Sequence, residues 1–456
     1  MKILFVIHQY WPKYQSGSEN YTHYIAKAMA DNGHDVFVLA VEPGSNKDYF
    51  IERNNDDAMH IIKIHKSLKA FSNFDWNYRD LEYEKIFKEI LNEINPEIVH
   101  IQHLMYASLG ITKIIKEREI PIIYTLHDLW LECLKITKLD HENKVCNNWN
   151  KEKCLDCYNT NHLAIKNKYL SKIANFLNNN LKGTIIHKFI LSVVRKNKYF
   201  FKTGNNGINP VEERFEKMIE MTKDVDLFIS PSKFLREEFI KWGIAEDKIL
   251  YSRNGMNILN QDILNKDKFI EKKEDGLFNF VFTSQVREHK GIDVLLDAFK
   301  ILEKNNFNKA KLFIFGGYDK GSIYGRKFKK RIFSLRNVKY RGSFKNSDIN
   351  SILKDADYLI LPSIWPENAP LVIDEAYLNN VPCIVSNIGG MAERVDNDVN
   401  GLHFKVGDAN DLVEKIKYVI DNPQLREEFI SKIPHVKTID ENVLELIEIY
   451  KKYINN

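Results

Sequence analysis

Residues 358–387 read "YLILPSIWPENAPLVIDEAYLNNVPCIVSN". The apolar runs "YLILPS" and "PCIVSN" lack polar alternation, so each predicts a strand covered on both faces. Between them stand Pro366 and Pro370, which disfavour helix before position 370, and Pro suits a first helical turn. "LVIDEAYLNN" therefore predicts a helix. Strand, helix and strand joined this tightly make a βαβ unit of a parallel sheet. The reading puts Glu367 in the loop after the strand and Glu375 more than a turn inside the helix. The N–H groups of Leu371 and Val372 then point outward at the helix start, which suits a phosphate. Two carboxylates eight positions apart can grip different parts of one hydroxyl-bearing ligand.

The same alternation runs outward in both directions. Toward the C-terminal half, "FNFVFTS", "KLFIFGG" and "VKYRGS" predict strands, and "GIDVLLDAFKIL", "GRKFKKRIFSL" and "DINSILKDA" predict helices. In the N-terminal half, "KILFVIH", "HDVFVLAV", "EIVHIQHL", "PIIYTLHDLW" and "DLFISPS" are strands. They are separated by helices such as "ENYTHYIAKAMADNG", "YEKIFKEILNEI" and "KFLREEFIKWG". The expected fold class is α/β, with two doubly wound, Rossmann-like domains facing across a cleft. The 456 residues suit two domains. The expected division is a first Rossmann-like domain over 1–260, with an insertion at about 132–220, and a second over 261–435. A charged stretch at about 257–275 is the linker. A final helix within 436–456 packs back on the first domain.

Composition is that of a soluble chain, with 44% hydrophobic and 28% charged residues. "MKILFVIHQYWP" reads as a first strand rather than a signal peptide, and no run approaches the ~18 apolar residues of a membrane span. A cytoplasmic protein is expected. The net charge is +4, but from Cys157 to Pro210 there is no Asp or Glu and nine Lys or Arg. Two readings fit that stretch of 157–211: a helix pair lying on anionic lipid at the inner face of the cytoplasmic membrane, or a solvated helical insertion. No nucleic-acid-binding module is recognisable, so no nucleic-acid partner is expected. Cys133, Cys146, Cys154 and Cys157 fall within 25 residues and end in C-x2-C. A structural zinc site or ordinary reduced thiols would account for them. Cys383 lies in a strand and reads as core.

In doubly wound sheets ligands bind outside the carboxyl ends of the strands. After the first strand come Ser16, Gly17 and Ser18, where Gly17 lets the backbone approach a ligand; a simple capped turn with Ser18 as N-cap also fits. His127 and Asp128 follow another strand. In the second half "VFTSQVREHKG" brings Gln285 and Arg287 to one side by period two, then Lys290 and Gly291 at a helix start.

Together these residues resemble the family 4 nucleotide-sugar glycosyltransferases, which have the GT-B fold. The resemblance covers nearly the whole chain except about residues 135–215. Glu367 and Glu375 match the family's Glu-x7-Glu signature. "IGGMAERV", "NGLHFKVGD", "GSE", "LHD", "SPSKF" and "RNGMN" match in order. The resemblance implies transfer of a sugar from a nucleotide-diphosphate sugar to a glycan or lipid-linked acceptor, with retention and no catalytic metal. Such a role belongs to the assembly of cell-surface polysaccharide, lipopolysaccharide or glycolipid. It further implies that Glu375 binds the ribose, Glu367 lies by the transferred sugar, Lys290 holds the diphosphate, Gly17 faces it, and His127 lies at the acceptor side. The usual Gly-Arg-Leu-x3-Lys-Gly reads Ser284, Gln285, Val286 and then Lys290-Gly291 here, and Arg287 is positioned to supply the missing charge. Two other readings remain open: a nucleotide-sugar-binding protein without turnover, and a GT-B-fold nucleotide-sugar epimerase.

Overall fold

The computed structural model describes residues 1–67, 74–140, 143–147, 150, 152–154, 157, 210–257 and 276–455. Most of the acid-free stretch and of the expected linker lies outside them. The chain forms two compact units, Met1–Gly255 with Thr438–Asn456, and Met256–Lys437.

Unit 1 is built on eight strands: β1 (Lys2–Ile7), β2 (Asp35–Ser45), β3 (Phe50–Asp56), β4 (Met59–Ser67), β5 (Ile98–Ile101), β6 (Ile122–Thr125), β7 (Leu227–Ser230) and β8 (Ile249–Tyr251). Their order is β3-β4-β2-β1-β5-β6-β7-β8. Every pair is parallel except β3 with β4. Along β1, Leu4 and Val6 join one buried cluster while Ile3, Phe5 and Ile7 join another on the opposite face. Both faces are dry, which is why the strand shows no polar alternation. The last helix, Ile439–Ile454, belongs to this unit and begins with a Thr438–Glu441 capping box. It buries Val443, Leu446 and Tyr450 in the cluster that also holds Tyr21, Ile25 and Met29 of the helix Gly17–Asp31. Asn442 Oδ1 accepts from the Tyr21 hydroxyl at 2.8 Å and the Gly255 N–H at 3.0 Å.

Unit 2 carries six parallel strands: β9 (Phe278–Thr283), β10 (Ala310–Phe315), β11 (Val338–Gly342), β12 (Tyr358–Leu361), β13 (Cys383–Ser386) and β14 (Gly401–Phe404). The order β11-β10-β9-β12-β13-β14 reverses direction of growth between β9 and β12. A doubly wound sheet opens its ligand crevice there, beyond the strand carboxyl ends. The two connections at that point are residues 284–291 and 362–370. Phe280, Phe282 and Ile360 pack on one face, Val281, Leu359 and Cys383 on the other. Among the described residues no helix is long and apolar enough to cross a membrane.

Candidate active site

The two connections of unit 2 are pressed together by glycine. Gly291 has φ +71°, and a Cβ there would stand 1.6 Å from the Pro362 carbonyl oxygen. Ile364 N–H donates to His289 O at 3.0 Å. Lys290 thereby reaches across to Glu367, with Nζ 2.8 Å from Oε2. The Ser363 hydroxyl donates to the other oxygen of Glu367. Lys290 Nζ also sits 5.4 Å from the centre of the Trp365 ring. Glu367 is buried, so its charge is compensated by this lysine and hydroxyl rather than by water. Behind the loop, a Cβ on Gly390 would meet the Asn368 carbonyl at 1.3 Å, and the Gly390 N–H donates to Glu367 O at 2.7 Å. The "IGG" segment is thus the shelf on which the Glu367 loop lies.

The helix Leu371–Leu378 starts after Pro370, whose φ of −66° leads into it. Ile373 N–H donates to Pro370 O at 3.1 Å. The N–H groups of Leu371 and Val372 belong to the first turn, where a helix offers its amides no internal acceptor. Asp374 is ion-paired with Arg394, whose Nη2 lies 2.5 Å away. Glu375, one position on, is half-buried, and burial, then Asp374, pushes its carboxyl up to about 7. On the other connection Gln285 and Arg287 are exposed and paired, Arg287 Nε donating to Gln285 Oε1 at 2.8 Å.

Unit 1 gathers a second group where β1, β5 and β6 end. The helix begins at Gly17, with Ser16 rather than Ser18 in the N-cap position and without a side-chain capping bond. Ser18 instead donates to Glu19 Oε2 at 2.9 Å. Glu19 is buried and its carboxyl is raised by that burial. Its Oε1 lies 3.5 Å from His8 Nε2, and the His8 ring faces His103 with centroids 4.4 Å apart. Met105 N–H donates to His103 Nδ1 at 3.0 Å, so Nε2 carries the proton and donates to Asp128 Oδ2 at 3.3 Å. The Trp130 N–H donates to Asp128 Oδ1 at 2.8 Å. Burial alone would raise the Asp128 carboxyl, but His103 and the Trp130 amide outweigh it and hold it below its usual range. His127 Nε2 lies 2.7 Å from Gln102 Oε1, and burial together with His103 pushes its pKa down to about 3. His127 is therefore a neutral hydrogen-bonding group at physiological pH. His8, Gln102 and His103 were not singled out in the sequence, although each directly follows the end of β1 or β5.

The zinc expectation is not supported. Cys133, Cys146, Cys154 and Cys157 are free thiols, and among the described residues no three His, Cys, Asp or Glu side chains are grouped to hold a metal. Cys133 and Cys154 pack against the core as small apolar groups instead. Burial, then the neighbouring thiols, pushes Cys154 up to about 11.

Residues 15–160 match the family model described as Glycosyltransferase Family 4, and residues 265–436 match the one described as Glycosyl transferases group 1. The alpha-monoglucosyldiacylglycerol synthase of Acholeplasma laidlawii is 24% identical over 443 residues, 93% of this chain and 92% of that one. The UDP-Gal:alpha-D-GlcNAc-diphosphoundecaprenol alpha-1,3-galactosyltransferase of Escherichia coli is 28% identical over 190 residues, 38% of this chain and 46% of that one. The Acholeplasma enzyme apart, the chain spans about half the length of the curated relatives it matches. Among solved structures, Anabaena HepE in complex with UDP and glucose superposes with a TM-score of 0.60 at 16% identity, over 98% of this chain and 100% of that one. The fold is that of the GT-B glycosyltransferases. Within that class the chain belongs to family 4.

Proposed function

We propose that the protein transfers a sugar from a nucleotide-diphosphate donor to a glycan or lipid-linked acceptor, with retention at the anomeric carbon and without a catalytic metal. The observation that carries the reading is the Lys290–Glu367 pair at the point where the unit 2 sheet reverses, 2.8 Å apart, beside the proline-started helix that bears Glu375. A cation, two first-turn amides and two carboxylates in one place match a diphosphate flanked by two hydroxyl-rich groups. UDP is bound by HepE, and the Acholeplasma and Escherichia coli relatives are named for diacylglycerol and diphosphoundecaprenol lipids, which favours a nucleotide sugar and a lipid-linked acceptor. Assembly of cell-surface polysaccharide, lipopolysaccharide or glycolipid is the process such a reaction serves. The insertion over 157–211 remains the candidate contact with an anionic membrane in this scheme.

In the proposed reaction the sugar C1–O bond breaks and its electron pair departs on the diphosphate. The acceptor oxygen bonds to C1 from the same face and gives its proton to a phosphate oxygen. Lys290, the amides of Leu371 and Val372, and Arg287 held by Gln285 would stabilise the growing charge, a task that a metal performs in other enzymes. Glu375 would accept from the ribose hydroxyls and Glu367 from those of the sugar. In unit 1, Gly17 and His127 are assigned to ligand contact, His127 on the acceptor side. Lys290→Ala should lower kcat by ~10²–10³ while changing KM less, since charge on the leaving group peaks in the transition state. Donor turnover, measured with a panel of nucleotide sugars in the presence of a chelator, tests this. Unchanged turnover in Lys290→Ala would remove the lysine's role, and no sugar nucleotide bound or consumed would remove the function.

A further inference from the structure

Unit 2 carries a charged face that sugar transfer does not use. From Lys320 to Lys345 ten residues are Lys or Arg and none is Asp or Glu, in a chain whose net charge is only +4. The helix Ile323–Ile332 lies in the first half of this stretch. It is anchored inward by Gly325, Phe328 and Ile332, with the Phe328 ring 5.4 Å from that of Tyr340 on edge strand β11. On its flank Arg331 is held by Asp293 and Asp297. That leaves Arg326, Lys329, Lys330 and Phe333, spaced i, i+3, i+4 and i+7, along one outer stripe. All four are exposed, and Phe333, at 78%, is the most exposed large hydrophobic among the described residues. Lys329 Nζ stands 6.0 Å from its ring.

We infer that this stripe docks the protein on a bilayer surface bearing anionic lipid. Three cations with no carboxylate on their own stripe complement a negative surface, and the aromatic ring among them gains by leaving water for the headgroup–acyl boundary. Double-stranded nucleic acid would engage the cations but leave Phe333 in water. A single strand binds through successive aromatic platforms, and this stripe has one ring. The inference does not depend on sugar transfer, because docking needs no donor.

The full-length protein is floated with vesicles of phosphatidylcholine, with and without phosphatidylglycerol. Binding is expected only to the anionic vesicles, and it weakens as salt is raised. Each basic side chain near the surface is worth about fivefold, so Arg326→Ser, Lys329→Ser and Lys330→Ser together should cut partitioning on the order of a hundredfold. Phe333→Ser should lower partitioning several-fold while leaving its salt dependence as it was. Circular dichroism and donor hydrolysis measured without acceptor or lipid should be unchanged in both variants, since none of these residues touches the candidate active site. Three outcomes would overturn the inference: a wild-type protein that does not float, a triple variant that floats as well as wild type, or a stripe that binds single-stranded oligonucleotide in preference to vesicles.

Discussion

Glu375 occupies the second turn of the helix Leu371–Leu378, and its carboxyl is pushed up to about 7 by burial and by Asp374. An ionised carboxylate offers only acceptors and is the form suited to the ribose contact proposed for Glu375; the protonated form gives up part of that capacity. Donor KM is therefore expected to fall as pH rises through about 7, and Glu375→Gln should flatten the profile. Stability runs the other way. A carboxyl raised above its unfolded value of 4.5 favours the fold fully below 4.5, and that contribution is lost as pH rises through about 7. Glu375→Gln should accordingly be more stable than wild type well above pH 7, by up to about 3 kcal/mol, and equal to it near 4.5. Urea unfolding at the two pH values reads this directly, and a variant with no alkaline gain would contradict the buried-carboxyl account. Proline spacing was enough to assign Glu367 to a loop and Glu375 to a helix. The bond from Glu367 to Lys290 was not legible, because 77 residues separate them and nothing local marks the contact.

At the scale of elements, the strands that pack on both faces were readable because burial removes polar residues from every position. β1 and β9 are of this kind, with "KILFVI" and "FNFVFT" nearly all buried. β3 was not readable: "FIERNND" is largely exposed, pairs antiparallel to β4 and carries no apolar period. The start of the first helix was placed two residues late because Ser18 looked like a cap, while its hydroxyl is taken by Glu19. Glycine positions were visible as letters, but what each one admits was not. Gly291 shows the difference. Alanine there meets both a positive φ and the Pro362 carbonyl at 1.6 Å, so the two connections must part. Gly407 has φ +77° with nothing within 4 Å, and alanine there meets the backbone penalty alone. Gly407→Ala should cost about 1 kcal/mol, and Gly291→Ala about 2–4 kcal/mol together with loss of turnover as Lys290 leaves Glu367. Denaturant midpoints at unchanged slope give the comparison; equal costs would mean that the close approach of the connections is not what demands glycine.

Across the whole molecule, neutral histidine with a lowered pKa is concentrated in unit 1. Unit 1 buries neutral histidines at the ends and in the middle of its sheet: His8, held well below its usual pKa, and His100 and His127, each pushed down to about 3, all chiefly by burial. Each must take up a proton when unit 1 unfolds below 6.5. Their contribution is therefore complete above 6.5 and is lost progressively as pH falls toward 3. Three such groups give a slope approaching about 4 kcal/mol per pH unit over the steepest part of that range. Among the described residues unit 2 has one histidine lowered in this way, His403, while a carboxyl raised by burial acts in the other direction in each unit, Glu19 in unit 1 and Glu375 in unit 2. Mild acid should then loosen unit 1 first. Hydrogen exchange, corrected for the intrinsic pH dependence, is expected to show protection of the β5 and β6 amides falling between pH 6 and 4 while that of β9 and β12 holds. The helix Ile439–Ile454 should follow unit 1, because Tyr450 packs in its core with its hydroxyl 2.5 Å from His100. If the β5 and β6 amides keep their protection, or if β9 and β12 lose theirs first, the buried histidines do not govern the acid response. His100→Asn, which removes the titrating group and keeps polar atoms beside Thr125, should make the β5 response shallower by about a third of the slope.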